Sequence, residues 1–150
     1  MSEQQAHGVI VRRDEREIVV SRVVDATPER VFQAYTDPKQ VAQWWGPKGW
    51  TLPVCEIDLK PGGFWRYCMQ SPEGEMACGR ANYQEVDAPR RLVYLDAFAD
   101  EQGNVLEEMP VALSTVEITE RHGRTEVTGT SKYQSLEDLE TILNMGVIAG

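Results

Sequence analysis

Along most of this chain apolar residues recur at every second position, and only three short stretches switch to helical spacing. Ile18, Val20, Val23 and Val24 mark a first strand over 17–24. Thr27 then reads as an N-cap with Pro28 at the first helical position, where a missing N–H does no harm. The spacing predicts a helix over 28–35 that buries Val31, Phe32 and Tyr35. Asp37-Pro38 repeats the start signal, and Gln40 follows three residues on, as in a capping box. Val41, Trp44 and Trp45 give this second helix an apolar face, and Gly46-Pro47-Lys48-Gly49 ends it.

From residue 51 the alternating period takes over. A strand over 51–58 contains Pro53, which predicts an edge or a bulge. Pro61-Gly62-Gly63 turns the chain into a strand over 64–70, and Ser71-Pro72-Glu73-Gly74 is a hairpin turn to a strand over 76–86. Strands over 91–97, 111–119 and 124–133 follow, with an acidic loop over 98–109 and a hairpin tip at Arg121-His122-Gly123. Ser135 caps a last helix, with Asp138 at N3 and Leu136, Leu139, Ile142, Leu143 and Met145 at helical spacing. Residues 1–14 read as a polar tail and 15–150 as one domain. The element order predicts an α+β fold. Its antiparallel sheet has seven strands, with two short helices between the first and second.

Composition narrows the function classes. A chain of 150 residues buries roughly 70% of its unfolded surface and holds a core without metals or disulfides. The formal net charge of −9 repels phosphate backbones and anionic lipid heads, which argues against nucleic acid and membrane surfaces. No apolar run approaches the ~18–20 residues of a membrane span, and residues 1–7 lack the apolar core of a secretory signal. The cytoplasm is the expected location. Cys55, Cys68 and Cys78 have no Cys-x-x-Cys spacing and are expected to be reduced. Cys68 and Cys78 are symmetric about the turn at 72–74. They are read as small buried apolar residues, with a redox pair as the alternative.

Candidate chemistry is sparse. His7 in the tail and His122 at a hairpin tip form neither a metal set nor part of a triad, so no catalytic residue, metal or cofactor is assigned. Gly62-Gly63 lacks the Lys-Ser/Thr and helix of a phosphate loop. Glu56, Arg66, Arg80, Asn82, Glu85 and Asp96 are read as a solvated outer face of the sheet. The alternative is a carboxylate and an Arg turned inward onto a substrate carbonyl. Trp65, Tyr67 and Met69 alternate onto one face of their strand.

Several spaced blocks carry a resemblance. Ala26-Thr27-Pro28-Glu29-Arg30-Val31-Phe32-Gln33-Ala34-Tyr35-Thr36-Asp37-Pro38, Trp44-Trp45-Gly46-Pro47 and Asp58 to Gly63 resemble the SRPBCC (START-like) superfamily. More closely they resemble its branch similar to the C-terminal domain of the activator of heat-shock-protein-90 ATPase. Ser71 to Glu75, Tyr83 to Val86, Arg91 to Tyr94 and Asn144-Met145-Gly146 match the same branch.

The resemblance implies a helix-grip fold, a seven-stranded sheet curled around the C-terminal helix with an apolar cavity between them. It implies Trp44, Trp45, Trp65, Tyr67, Met69, Tyr83 and Tyr94 as the wall of a pocket for a small apolar or aromatic ligand, non-enzymatic by default, with plain filling of the core as the alternative for the same residues. It also implies two alternatives, a stress-related co-chaperone of a heat-shock-protein-90-type ATPase and a polyketide-cyclase-like enzyme. The chain is too short for the co-chaperone's separate N-terminal domain. It stops at Gly150, where relatives run on, so the expectation includes a cavity left partly open or completed in a homodimer.

Overall fold

The computed structural model describes residues 7–44 and 49–145, without the side chains of His7 and Trp44. Among them the chain forms β1 (His7–Arg12), β2 (Glu17–Val24), α1 (Pro28–Thr36), α2 (Pro38–Trp44), β3 (Thr51–Ile57) and β4 (Phe64–Gln70). There follow β5 (Met76–Asp87), β6 (Arg91–Ala99), β7 (Val111–Arg121), β8 (Arg124–Lys132) and α3 (Leu136–Asn144). The strands make one antiparallel sheet in the order β1-β2-β8-β7-β6-β5-β4-β3. From β3 to β8 each strand pairs with the next, and β2 closes onto β8.

The sheet has eight strands, not the seven expected. The additional strand is β1, within the stretch read as a polar tail. Val9 and Val11 stand opposite Val20 and Ile18, so this short, glycine-containing segment gains its order from the edge that β2 offers. The two short helices consequently lie between the second and third strands, not between the first and second. The β1–β2 turn is also tied to the C-terminal end. Arg13 Nε donates to Glu140 of α3 at 2.9 Å, and Arg16 Nε donates to the Tyr133 carbonyl at 3.0 Å.

The local start signals hold as read. Thr27 accepts from the Arg30 amide at 3.3 Å, Asp37 from the Lys39 amide at 3.0 Å, and Ser135 from the Asp138 amide at 3.0 Å. The Gln40 side chain donates to Asp37 Oδ2 at 3.2 Å. Pro53 falls on β3, an edge strand whose register shifts between Thr51 and Val54.

Two apolar clusters lie on the inner, helix-facing side. The larger joins Val31, Phe32 and Val41 of α1 and α2 to Trp65, Tyr67, Ala81, Tyr83, Leu92, Tyr94, Val116, Ile118 and Val127. The smaller joins Leu139 and Ile142 of α3 to Ile18, Ala112, Tyr133 and Phe98.

One cysteine expectation is overturned. Cys68 and Cys78 form a disulfide, because the hairpin turn sets them directly opposite each other on β4 and β5. Cys55 is a free thiol.

Candidate functional site

Side chains of directly paired residues share a face of a sheet, so the register assigns every strand position to the inner or outer side. On β6 the inner positions are Leu92, Tyr94, Asp96 and Phe98. Tyr94 belongs to the larger cluster and Phe98 to the smaller, and Asp96 stands between them. On β7, Ser114 likewise stands between Val116 and Ala112. On β8, Gly129 and Ser131 separate Val127 from Tyr133, and on β2, Val20 and Arg22 separate Ile18 from Val24. A seam of polar and small residues thus crosses the inner face between the two clusters.

Asp96 was expected on the outer face and lies on the inner one. The strand Leu92-Val93-Tyr94-Leu95-Asp96-Ala97-Phe98 is apolar on both sides, so alternation alone does not orient it. Its partners across the sheet are Ala81 and Ala112, both buried and small, so nothing bulky flanks the carboxyl on either side. The Tyr67 hydroxyl donates to Asp96 Oδ1 at 3.4 Å, long for an O–H···O bond. Gly79 makes this approach feasible. Tyr67 and Gly79 are direct partners, and the ring lies where a Gly79 side chain would stand.

Electrostatics follow from this placement. Loss of hydration pushes the Asp96 carboxyl up to about 7, and the long bond from Tyr67 opposes that only in part. Burial, and then the Asp96 charge, hold the phenols of Tyr67 and Tyr94 well above their ordinary range. The Tyr133 phenol rises to about 12 for the same two reasons. Among the described residues Asp96 forms no ion pair.

The aromatic residues expected to line a pocket form an interlocked group. Trp65 and Tyr67 have ring centroids 4.5 Å apart, and Tyr94 meets Trp65 edge-on at 6.3 Å and Tyr83 edge-on at 6.1 Å. Met69 packs against the group. Cys55 faces the same side, and burial raises its thiol. The side chain of Trp44, together with Trp45, lies outside the described residues.

A cavity of about 290 Å³ opens at the other end of the seam, beneath α1. Val24, Val31, Ala34 and Val127 give it apolar walls, and Arg22, Arg30, Tyr35 and Gln40 supply polar groups. Val31 and Tyr35 were expected to be buried on the first helix and Gln40 to cap the second, but none of these residues was expected to line a cavity. For Asp96 the usable signal was a lone carboxyl two residues from both Tyr94 and Phe98. The other strand polar residues do lie outside. Arg66 bonds Glu56 at 2.5 Å and the Glu101 carbonyl at 2.8 Å, and Arg80 stacks on the Phe64 ring at 4.7 Å.

A large antiparallel sheet with few helices, carrying a partly open polar seam, defines an α+β protein of the SRPBCC-like class. Among the described residues no helix is long and apolar enough to cross a membrane. Within that class the chain belongs to the family of Activator of Hsp90 ATPase homolog 1-like proteins, whose model matches residues 25–150. It is similar to the protein Ms6760 from Mycobacterium smegmatis, at 35% identity and a TM-score of 0.88, over 95% of this chain and 87% of that one. A protein from Arthrobacter aurescens, solved by solution NMR, matches at 30% identity and TM-score 0.88, over 95% and 83%. A protein from Staphylococcus epidermidis matches at 31% and 0.79, over 91% and 83%. No curated protein matches the chain.

Proposed function

We propose that the protein binds a small, largely apolar ligand on the inner face of its sheet, over the seam and into the cavity beneath α1. One observation carries this reading. Val20 is an inner-face valine in the middle of β2, yet it remains 38% exposed, beside a neighbour, Ile18, that is 6% exposed. A fully filled layer between sheet and helices would cover both. The adjoining cavity has the apolar walls and few polar groups that suit a small-molecule site. Trp65, Tyr67, Tyr83, Tyr94 and Met69 form the aromatic wall of this reading, and their tight packing gives it a rigid side. The family's SRPBCC-like fold supports it by analogy.

Tryptophan fluorescence titration with fatty acids, flavonoids and aromatic polyketides tests the proposal, with Trp65→Phe as the reporter control. Saturable quenching that Trp65→Phe reduces supports it. An experimental structure with the inner face of β2 and β8 wholly covered by side chains refutes it.

The family description favours a second reading, a co-chaperone that stimulates a heat-shock-protein-90-type ATPase. An ATPase assay with the chaperone of the same organism decides it, and an unchanged rate removes it.

A further inference from the structure

The surroundings of Asp96 constrain the chemistry of the ligand. Along its own strand Tyr94 and Phe98 share its face. Across the sheet stand Ala81 and Ala112, Tyr67 reaches it from β4, and Tyr133 lies close enough to feel its charge. These neighbours are aromatic rings, phenols and methyl groups. Among the described residues its carboxyl accepts only the long hydrogen bond from Tyr67, and no Arg, Lys or His pairs with it. A half-buried carboxylate so placed has given up part of its hydration without gaining a counter-charge, which is a costly arrangement for a purely structural residue.

We infer that the Asp96 niche recognises an organic ammonium group, so that the ligand of the inner face is an apolar amine. This inference rests on the ligand-binding reading above. A primary ammonium supplies the missing charge and three donors. The Asp96 carboxylate and the hydroxyls of Tyr67 and Ser114, on the same face of the adjoining strands, are acceptors for them. The rings of Tyr67, Tyr94 and Phe98 add the attraction of aromatic faces for a cation. The alanines on either side leave space for the group to approach. The net charge of −9 favours encounter with a cation over an anion.

The pH response follows from the groups that face Asp96. β4 presents Tyr67, β6 presents Tyr94, and the residue after β8 is Tyr133, while α1 places Tyr35 beside Tyr94. β5 and β7 present only Gly79, Ala81, Ala112 and Ser114, and α3 presents Leu139 and Ile142. Asp96 is the group among these that changes charge near neutrality. An amine that binds its ionised form therefore weakens by about 30-fold at pH 5.5 relative to pH 8, since the competent fraction falls accordingly.

The test is a pair of probes with one aromatic body, 2-(2-naphthyl)ethylamine and 2-(2-naphthyl)ethanol, titrated by NMR at pH 8.0 and 5.5. The wild type is expected to bind the amine at least tenfold more tightly than the alcohol at pH 8.0, with most of that preference lost at pH 5.5. Asp96→Asn keeps the shape of the side chain. It is expected to bind the alcohol as the wild type does and to lose the amine preference at both pH values, with an unchanged amide spectrum away from β6 as the folding control. Equal binding of both probes, or an Asp96→Asn variant that retains the preference, overturns the ammonium inference alone. Tighter binding of the alcohol points to a protonated Asp96 donating to a neutral ligand and overturns it too. Binding of neither probe anywhere on the inner face overturns both this inference and the ligand-binding reading.

Discussion

Gly79→Ala tests the geometry on which the Asp96 niche depends. The backbone of Gly79 is not in the left-handed region, so an alanine meets no conformational penalty there. In an ordinary strand position this substitution stabilises by about 0.5–1 kcal/mol. Here the new methyl would stand within the Tyr67 ring, with Cε1 only 2.9 Å away and the hydroxyl nearer still. Tyr67 is itself buried against Trp65, so its ring must tilt out of that contact and away from Asp96. Overpacking of this kind costs about 1–3 kcal/mol, and a disturbed ring pair adds about 0.5–1.5 kcal/mol. The net expectation is a loss of about 2 kcal/mol, measured as a lower midpoint in urea denaturation at unchanged slope. The decisive comparison is a double-mutant cycle with Tyr67→Leu. With the ring gone, Gly79→Ala is expected to become neutral or stabilising. A variant that stabilises the wild-type background, or costs the same with and without Tyr67, refutes the reasoning.

Asp96 also links stability to pH. Its carboxyl titrates near 7 when folded against 3.8 ordinarily, so the folded state binds the proton more tightly. Its contribution is therefore most favourable below pH 4, declines as pH rises toward 7, and is flat above that, a change of roughly 4 kcal/mol at most. Asp96→Asn is expected to raise the denaturation midpoint clearly at pH 8 and little at pH 4, and an equal effect at both excludes this origin. Thiol titration of the denatured but unreduced protein is expected to find one free thiol, Cys55, and a count of three would show that the Cys68–Cys78 bond is absent. Replacing both bonded cysteines with alanine should cost about 3 kcal/mol or less, because the bond closes a short loop that the hairpin already constrains.

The helix starts were legible because each is a local event. Thr27, Asp37 and Ser135 bond to amides two or three residues away, and the sequence contains everything such a cap requires. β1 was not legible, since its pairing belongs as much to Val20 and Ile18 as to Val9 and Val11. The aromatic group was visible as residues, while its contacts depend on the register of three strands. Asp96 was visible as a carboxyl and misassigned to the outer face, because a one-residue change of register exchanges the two sides and its strand is apolar on both. The bulge between Tyr83 and Glu85, which carries Tyr83 inward and Glu85 outward to Arg91, leaves no local mark either. Arg22, Arg30 and Gln40 come together only when α1 settles over β2 and β8.

The closure of β2 onto β8 has a kinetic consequence. Every other ladder joins strands consecutive in sequence, whereas the partners in this one are roughly 100 residues apart. Local hairpins from β3 to β8 form with little loop-closure entropy, and the distant pairing follows them. Val20 and Arg22 ride on β2, so the seam and the cavity beneath α1 are incomplete until that last ladder zips. Amide exchange at Val19 to Val23 should accordingly report the opening of the proposed ligand surface, earlier than any exchange from the centre of the meander. A partly folded chain can hold its aromatic group and its disulfide and still have nowhere to bind.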